Sequence, residues 1–370
     1  MKRVGLVGWR GMVGSVLMDR MLAEGDFAHF EPTFFSTSQA GQPVPELGQG
    51  APAGATLRDA MDISQLAEME VIVTCQGGDY TKEVHPKLRA AGWDGFWIDA
   101  ASALRMDDQA IIILDPVNRS VIDRALDQGV KDYIGGNCTV SLMLMGVEGL
   151  FRQGWVQWMT SMTYQSASGA GARNMIELVQ QMGVLGQALN PAETALQLER
   201  KVTALQNQTE FPDEQFGAPL AGSLIPWIDR AMDNGQTREE WKGEHETNKI
   251  LQTANRIPID GQCVRVGAMR CHSQALTIKL NDDIPMADIE SAIAEANDWV
   301  QLIPNEKQAT VEGLTPAVVS GTMQVPVGRL RKMTLGSDYL TCFTVGDQLL
   351  WGAAEPLRRM LLILLGQLPA

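Results

Sequence analysis

At 370 residues, 45% hydrophobic and 20% charged, the chain exceeds one ordinary core, so two domains are expected. Its longest apolar run, "MLLILL", falls well short of the roughly 18 residues a membrane helix needs, which excludes a helical membrane span. A formal net charge of −14 argues against a broad nucleic-acid surface and leaves the holding of any anionic ligand to a few focused arginines and lysines.

The chain opens "MKRVGLVG", an apolar strand with no long hydrophobic region or small-residue cleavage site before it, so no secretory leader is expected and the expected compartment is the cytoplasm. That strand runs into "VGWRGMVGSVL" and a helix over 12–24, with glycines at 5, 8, 11 and 14. A strand, a glycine loop and a helix in this order form a dinucleotide fingerprint. Gly8 allows the tight turn, Gly11 lets backbone approach a pyrophosphate, and Gly14 lets the helix pack on the strand. The second strand, "TFFST", ends in "FFSTSQ", where an NAD site would carry Asp or Glu. With no carboxylate to repel a 2′-phosphate, Thr37, Ser38 and Arg10 suit NADP.

Residues 39–55, rich in Gly, Pro and Gln, read as a surface loop. The rhythm then continues: "VIVTCQ" and a helix over 79–91, "GFWIDA", "IIIL" and a helix over 117–128, then "DYIGG". Short apolar runs alternating with helices indicate a parallel sheet with crossover helices through residue 137. Arg105 follows "WIDAAS" at the carboxyl edge of that sheet, where ligands of open α/β sheets collect.

At "GGNCTVSLML" a loop becomes a helix with Cys138 at its start and Asn137 as the cap. A helix N-terminus favours anions and makes a thiol a nucleophile. The other cysteines, Cys75, Cys263, Cys271 and Cys342, fall in or beside strands and read as packed residues. Five scattered cysteines suggest neither a disulfide framework nor a metal site.

Beyond Cys138 the texture changes. Helices near 139–152, 171–186, 191–206 and 237–251 alternate with long strands, "WVQWMTSMTYQS", "CVRVGAMRCHSQALTIKL", "MQVPVGRLRKM" and "YLTCFTV". This is the pattern of an α+β domain on a large, mostly antiparallel sheet, one face of which is open to a second subunit. In "YQSASGAGA", Gln165 stands at a strand end and Ser168, Gly169 and Gly171 leave room for a ligand. Of four histidines, His29, His85 and His245 lie in helix or loop stretches. His272 shares a β-run with Arg265 and Arg270, which makes it the leading base for a catalytic thiol. In one unbroken strand, residues 265 and 272 would face opposite ways unless Gly267 supplied a bulge. The final stretch, 350–370, reads as a helix returning to the first domain.

Taken together, "GWRGMVGSVL", "CQGGDYT", "WIDAAS", "GGNCTVSLML", "YQSASGAGA", "REEWK", "ETNKIL", "VRVGAMRCHSQALTIKL" and "GDQLLWGAAEPLRRML" resemble the aspartate-β-semialdehyde dehydrogenases of the Gram-negative bacterial type, through nearly the whole chain. The resemblance implies an α/β chain in two domains. Residues 1–137 with the C-terminal helix at about 350–370 would form a Rossmann-like NADP-binding domain, and 138–349 a catalytic and dimerisation domain on a large mixed sheet. It implies a homodimer that converts β-aspartyl phosphate to aspartate β-semialdehyde with release of phosphate, toward lysine, threonine and methionine. Cys138 would be the nucleophile, His272 the acid/base, and Gln165 the residue orienting the acyl group. Arg265 would grip the substrate carboxylate and Glu239 its amino group, with Lys242, Arg105 and Asn137 at the phosphate. Gly8, Arg10, Gly11, Met12, Val13, Thr37, Ser38, Gln76, Ser168 and Gln348 would contact the cofactor.

Two other readings stay open on sequence alone. One is a different phosphorylating aldehyde dehydrogenase, of the glyceraldehyde-3-phosphate or N-acetylglutamyl-phosphate type. The other is a non-catalytic NADP-binding protein that uses Cys138 as a redox switch.

Overall fold

The computed structural model describes residues 1–44 and 54–368. The chain divides into two compact units, one made of Met1–Met145, His245–Arg256 and Leu349–Ala370, the other of Gly146–Glu244 and Ile257–Gln348.

The first unit begins β1 (Lys2–Val7), α1 (Met12–Ala23), β2 (Phe30–Ser36), β3 (Arg58–Asp59), α2 (Ile63–Leu66), β4 (Val71–Thr74) and α3 (Gly78–Ala90). It continues β5 (Phe96–Asp99), β6 (Ala110–Ile113), α4 (Asp115–Asp127) and β7 (Asp132–Gly135). α5 (Cys138–Arg152) carries the chain across into the second unit, with β8 (Val156–Gln165), α6 (Ala172–Gln187), α7 (Ala195–Gln206), β9 (Leu224–Ile225) and the first half of α8 (Arg238–Leu251), whose residues from His245 on belong to the first unit. After β10 (Ile259–Asp260), β11 (Cys263–Val266) and β12 (Cys271–Leu280) come α9 (Met286–Ala294), β13 (Val300–Leu302), α10 (Lys307–Gly313), α11 (Pro316–Val319), β14 (Val325–Met333) and β15 (Gly336–Asp347). α12 (Glu355–Leu364) closes the chain in the first unit.

In the first unit seven strands form a parallel sheet in the order β3-β2-β1-β4-β5-β7-β6. Both faces are covered, which is why "VIVT" in β4 is buried at every position. Val4 and Leu6 of β1 face a core shared with Leu17, Met18 and Met21 of α1 and Leu357, Met360 and Leu361 of α12. Val7 faces the opposite core, with Tyr80, Val84 and Leu88 of α3. The expected C-terminal helix is shorter than 350–370, because a π-helical turn at Leu350–Ala354 precedes it. The two arginines ahead of "MLLILL" anchor it: Arg358 forks onto Asp26 at 2.6 and 2.9 Å, and Arg359 onto Asp115 at 2.9 and 2.7 Å. Strand order reverses beside β1, and in such sheets the crevice at the strands' carboxyl ends there receives ligands.

The second unit is built on an eight-stranded mixed sheet, β13-β14-β15-β12-β8-β11-β9 with β10 alongside β8. The long central pairs β14/β15, β15/β12 and β12/β8 are antiparallel. The run 263–280, expected as one strand, is two: β11 runs parallel to β8 and β12 antiparallel to it, on opposite sides. The break is held in place by backbone, since Ala268 and Met269 turn their carbonyls to the N–H groups of Ala167 and Ser168 at 2.8 and 3.0 Å. α9, α10, α11 and β13 have no counterpart among the sequence expectations. Of the loop expected over 39–55, residues 45–53 lie outside the described residues, and a bridge between Pro43 and Thr56 joins its flanks.

Candidate active site

Three groups of side chains gather the chemistry, two in the first unit and one in the second. The first lines a pocket of about 310 Å³ over the carboxyl ends of β1, β2 and β4, formed by residues 8–11, 35–38, Cys75 and Gln76. Gly8 has φ +71°, and a Cβ there would come within 2.5 Å of the Cys75 carbonyl carbon and the Gln76 nitrogen. A Cβ on Gly14 would fall 2.2 Å from the Gly8 oxygen, so both positions require glycine. Arg10 stacks over the Trp9 ring at 5.1 Å and donates to Ser36 Oγ at 2.8 Å and to Gln39. Ser36 Oγ also accepts from the backbone N–H groups of Ser38 and Gln39, at 3.3 and 3.0 Å. Ser36, which sequence reasoning passed over, therefore holds the turn that presents Thr37 and Ser38.

This pocket fits a dinucleotide. It offers a glycine cradle, a cation and hydroxyls, and no carboxylate among its lining residues. Met12 and Val13 begin α1. Ser168 and Gln348 belong to the second unit, where the Gln348 amide donates to Ser168 Oγ at 2.9 Å.

The second group surrounds the start of α5. Asn137 caps the helix: its Oδ1 accepts from the N–H groups of Thr139 and Val140 at 3.0 and 3.2 Å and from the Thr139 hydroxyl at 2.6 Å. That cap puts half-buried Cys138 at the first helical position. Burial pushes the thiols of Cys75, Cys271 and Cys342 up to about 12, which leaves them protonated and inert as nucleophiles. Arg105, 8% exposed, donates Nε–H to the Gly135 carbonyl at 2.6 Å and Nη1–H to Glu246 Oε1 at 3.2 Å. The other oxygen of Glu246 accepts the Asn137 N–H at 2.7 Å. Asp99 steadies the loop toward Arg105, accepting from Thr81, Trp97 and the Ala101 N–H, and burial pushes its carboxyl up to about 6.

The third group lies in the second unit. The parity conflict between residues 265 and 272 disappears because they sit on different strands flanking β8, with Arg265 in register beside Gln165. A Cβ on Gly169 would lie 2.9 Å from Arg265 Nη1 and 3.0 Å from His272 Cε1, so the guanidinium and the imidazole converge there. His272 Nδ1 accepts the Ser166 N–H at 3.0 Å, and the Ser166 hydroxyl lies 3.0 Å from the same nitrogen. A backbone donor at Nδ1 leaves the ring's proton on Nε2. Burial first, and the nearby Arg265 charge second, lower the His272 pKa to about 3. The Ser166 carbonyl accepts from Arg265 Nη1 at 2.7 Å, so one buried peptide positions both side chains. Gln165 donates to Glu239 Oε1 at 3.2 Å, and Lys242 reaches Glu239 Oε2 at 2.8 Å and Asp229 at 3.1 Å. Those carboxylates outweigh burial and raise the Lys242 pKa.

The remaining expectations divide cleanly. His85 pairs with Asp132 at 2.9 Å, away from these groups. Among the described residues no cluster of His, Cys, Asp and Glu is gathered as a metal site needs. No helix among them is long and apolar enough to cross a membrane.

Comparison with known proteins gives matches along both units. The family model described as the semialdehyde dehydrogenase NAD binding domain matches residues 3–125, and that of the semialdehyde dehydrogenase dimerisation domain matches 147–351. Among solved structures, aspartate semialdehyde dehydrogenase from Francisella tularensis is 50% identical, with 98% of this chain and 100% of that chain covered and a TM-score of 0.95. The fold is also that of aspartate semialdehyde dehydrogenase II from Vibrio cholerae, complexed with ASA, at 23% identity, 98% of both chains and a TM-score of 0.78. A Candida albicans aspartate semialdehyde dehydrogenase with NADP shares it at 16% identity, over 100% of both chains, with a TM-score of 0.69.

Proposed function

The chain belongs to the aspartate-semialdehyde dehydrogenase family, and from that premise we propose that it interconverts β-aspartyl phosphate and aspartate β-semialdehyde, with NADP as cofactor and Cys138 as nucleophile. The observation that carries this reading is the charge layout around Gly169. Arg265 offers a fork for a carboxylate and Glu239 an anion for an ammonium, with His272 at the same glycine. An amino-acid aldehyde offers both a carboxylate and an ammonium to these grips, whereas glyceraldehyde phosphate has no ammonium for Glu239.

The chemistry runs as follows. Cys138 thiolate, favoured at the start of α5, attacks the acyl carbon and phosphate leaves with its electron pair, giving a thioester. Arg105 and Lys242 hold the departing phosphate, and Gln165 orients the acyl group. Gly8, Arg10, Thr37, Ser38 and Gln76 would hold NADP(H), which when bound would supply or accept the hydride. A thioester suits that exchange because it is more electrophilic than an oxygen ester and thiolate is the better leaving group. His272 serves the sulfur through Nε2: with Nδ1 occupied by Ser166, the resting ring is neutral and presents a donor there, which stabilises sulfur as it departs with negative charge. The same reading places the protein as a cytoplasmic homodimer on the route to lysine, threonine and methionine.

The test is NADPH formation from aspartate semialdehyde and NADP, with and without phosphate, for wild type and Cys138→Ser. Strict dependence on phosphate is expected. The serine variant should lose orders of magnitude in kcat while binding NADP within a few-fold of wild type. Phosphate-independent turnover, or a serine variant of near-normal rate, overturns the assignment.

A further inference from the structure

Glu246 is 2% exposed and pairs with Arg105, which the proposed function puts on the phosphate, so a carboxylate there needs a reason. Both of its oxygens are committed. Oε1 accepts from Arg105 Nη1 at 3.2 Å and Oε2 accepts the backbone N–H of Asn137 at 2.7 Å. Asn137 is the cap that sets Cys138 at the head of α5, and Arg105 is further tied by Nε–H to the Gly135 carbonyl at 2.6 Å and by Nη2 to Ala100 O at 3.4 Å. A guanidinium has five N–H groups. Three of Arg105's are turned onto protein acceptors, which fixes its plane, and the other two have no partner among the described residues.

We infer that Glu246 is a positioning residue for the phosphate-transfer end of the reaction: a double acceptor that locks Arg105 and the Asn137–Cys138 backbone into one rigid unit. The inference rests on the function proposed above and adds a residue to it. Two donors reach Glu246, one at each oxygen, and only a group that accepts at both ends serves both. A glutamine cannot, because its amide has one acceptor oxygen and one donating nitrogen, so either Arg105 or the Asn137 N–H meets another N–H. An aspartate keeps both acceptors but is one methylene short. Buried Arg105 also needs its charge balanced when no phosphate is present, which the carboxylate does.

The experiment measures phosphate-dependent NADPH formation for wild type, E246Q and E246D, with each variant's fold checked by thermal melting. E246Q should raise the KM for phosphate at least tenfold while the KM values for aspartate semialdehyde and NADP stay within twofold. E246D should show a smaller rise in the same constant, and it carries the test should E246Q fail to fold. An unchanged phosphate KM with only kcat lowered would reduce Glu246 to a structural role. A lower phosphate KM would make it a brake on anion binding. Either result overturns the inference. Wild-type turnover indifferent to phosphate would instead overturn the function on which it rests.

Discussion

At the scale of single residues, two predictions separate charge from geometry. Arg265→Lys keeps the charge near Gly169 but removes the planar fork and the bond to the Ser166 carbonyl. It should raise the KM for aspartate semialdehyde by tenfold or more with a smaller loss in kcat, and initial rates at varied substrate test this; an unchanged KM removes Arg265 from the carboxylate role. His272 gives a pH signature. Its folded-state pKa of about 3 lies below the ordinary value of 6.5, so the unfolded chain takes up its proton first. The stability that comes from burying a neutral ring is full above about pH 6.5 and drains away as pH falls toward 3. Melting midpoints between pH 7 and 4.5 should therefore fall less steeply in His272→Gln than in wild type; parallel curves would show that the ring is not buried neutral. Cys138 and Asn137 were readable in the sequence because a cap and the residue it precedes are adjacent. Ser166 and Glu246 were not, because what gives them meaning, His272 and Arg105, lies 106 and 141 residues away along the chain.

At the scale of elements, the end of β2 shows how a turn sets cofactor choice. Ser36 Oγ gathers the Arg10 guanidinium and the N–H groups of Ser38 and Gln39, so the hydroxyl organises a cation and a turn at once. Ser36→Ala should release Arg10 and raise the KM for NADP several-fold while leaving that for NAD nearly unchanged, because NAD carries no phosphate at the 2′ position. Steady-state constants for both cofactors measure this, and an unaltered NADP-to-NAD ratio would remove Ser36 from selection. Six of the seven strands of the parallel sheet were legible, since burial on both faces turns them into apolar runs between turn residues; β3, the two charged residues Arg58–Asp59, was not. The division of 263–280 was not. Both halves have strand composition, and the break comes from where β11 and β12 meet β8, a pairing that local periodicity does not carry.

At the scale of the whole molecule, a chain of net charge −14 that pairs with its own copy works against mutual repulsion, which favours an interface poor in like charge. The second unit carries surface of that kind. The inward side of α6 buries Glu177, Leu178 and Gln181, with Glu177 accepting from the Gln215 and Phe216 N–H groups at 2.6 and 3.0 Å. Its outward side exposes Ile176, Val179 and Met182 at 60, 53 and 42%, with two glycines further along the same helix. A surface helix normally turns charge outward. This one buries Glu177 and Gln181, where backbone donors satisfy them, and exposes Ile176, Val179 and Met182, an arrangement that suits a second subunit. A two-fold interface brings the same residue in from both copies, so one substitution acts twice. Val179→Asp would bury a carboxylate from each protomer with no partner, at a cost of several kcal/mol. Sedimentation equilibrium at micromolar concentration should find wild type dimeric and the variant monomeric. Higher salt should tighten the wild-type dimer slightly by screening its charge. A Val179→Asp protein as dimeric as wild type would mean that α6 does not form the interface and that its aliphatic side stays in water.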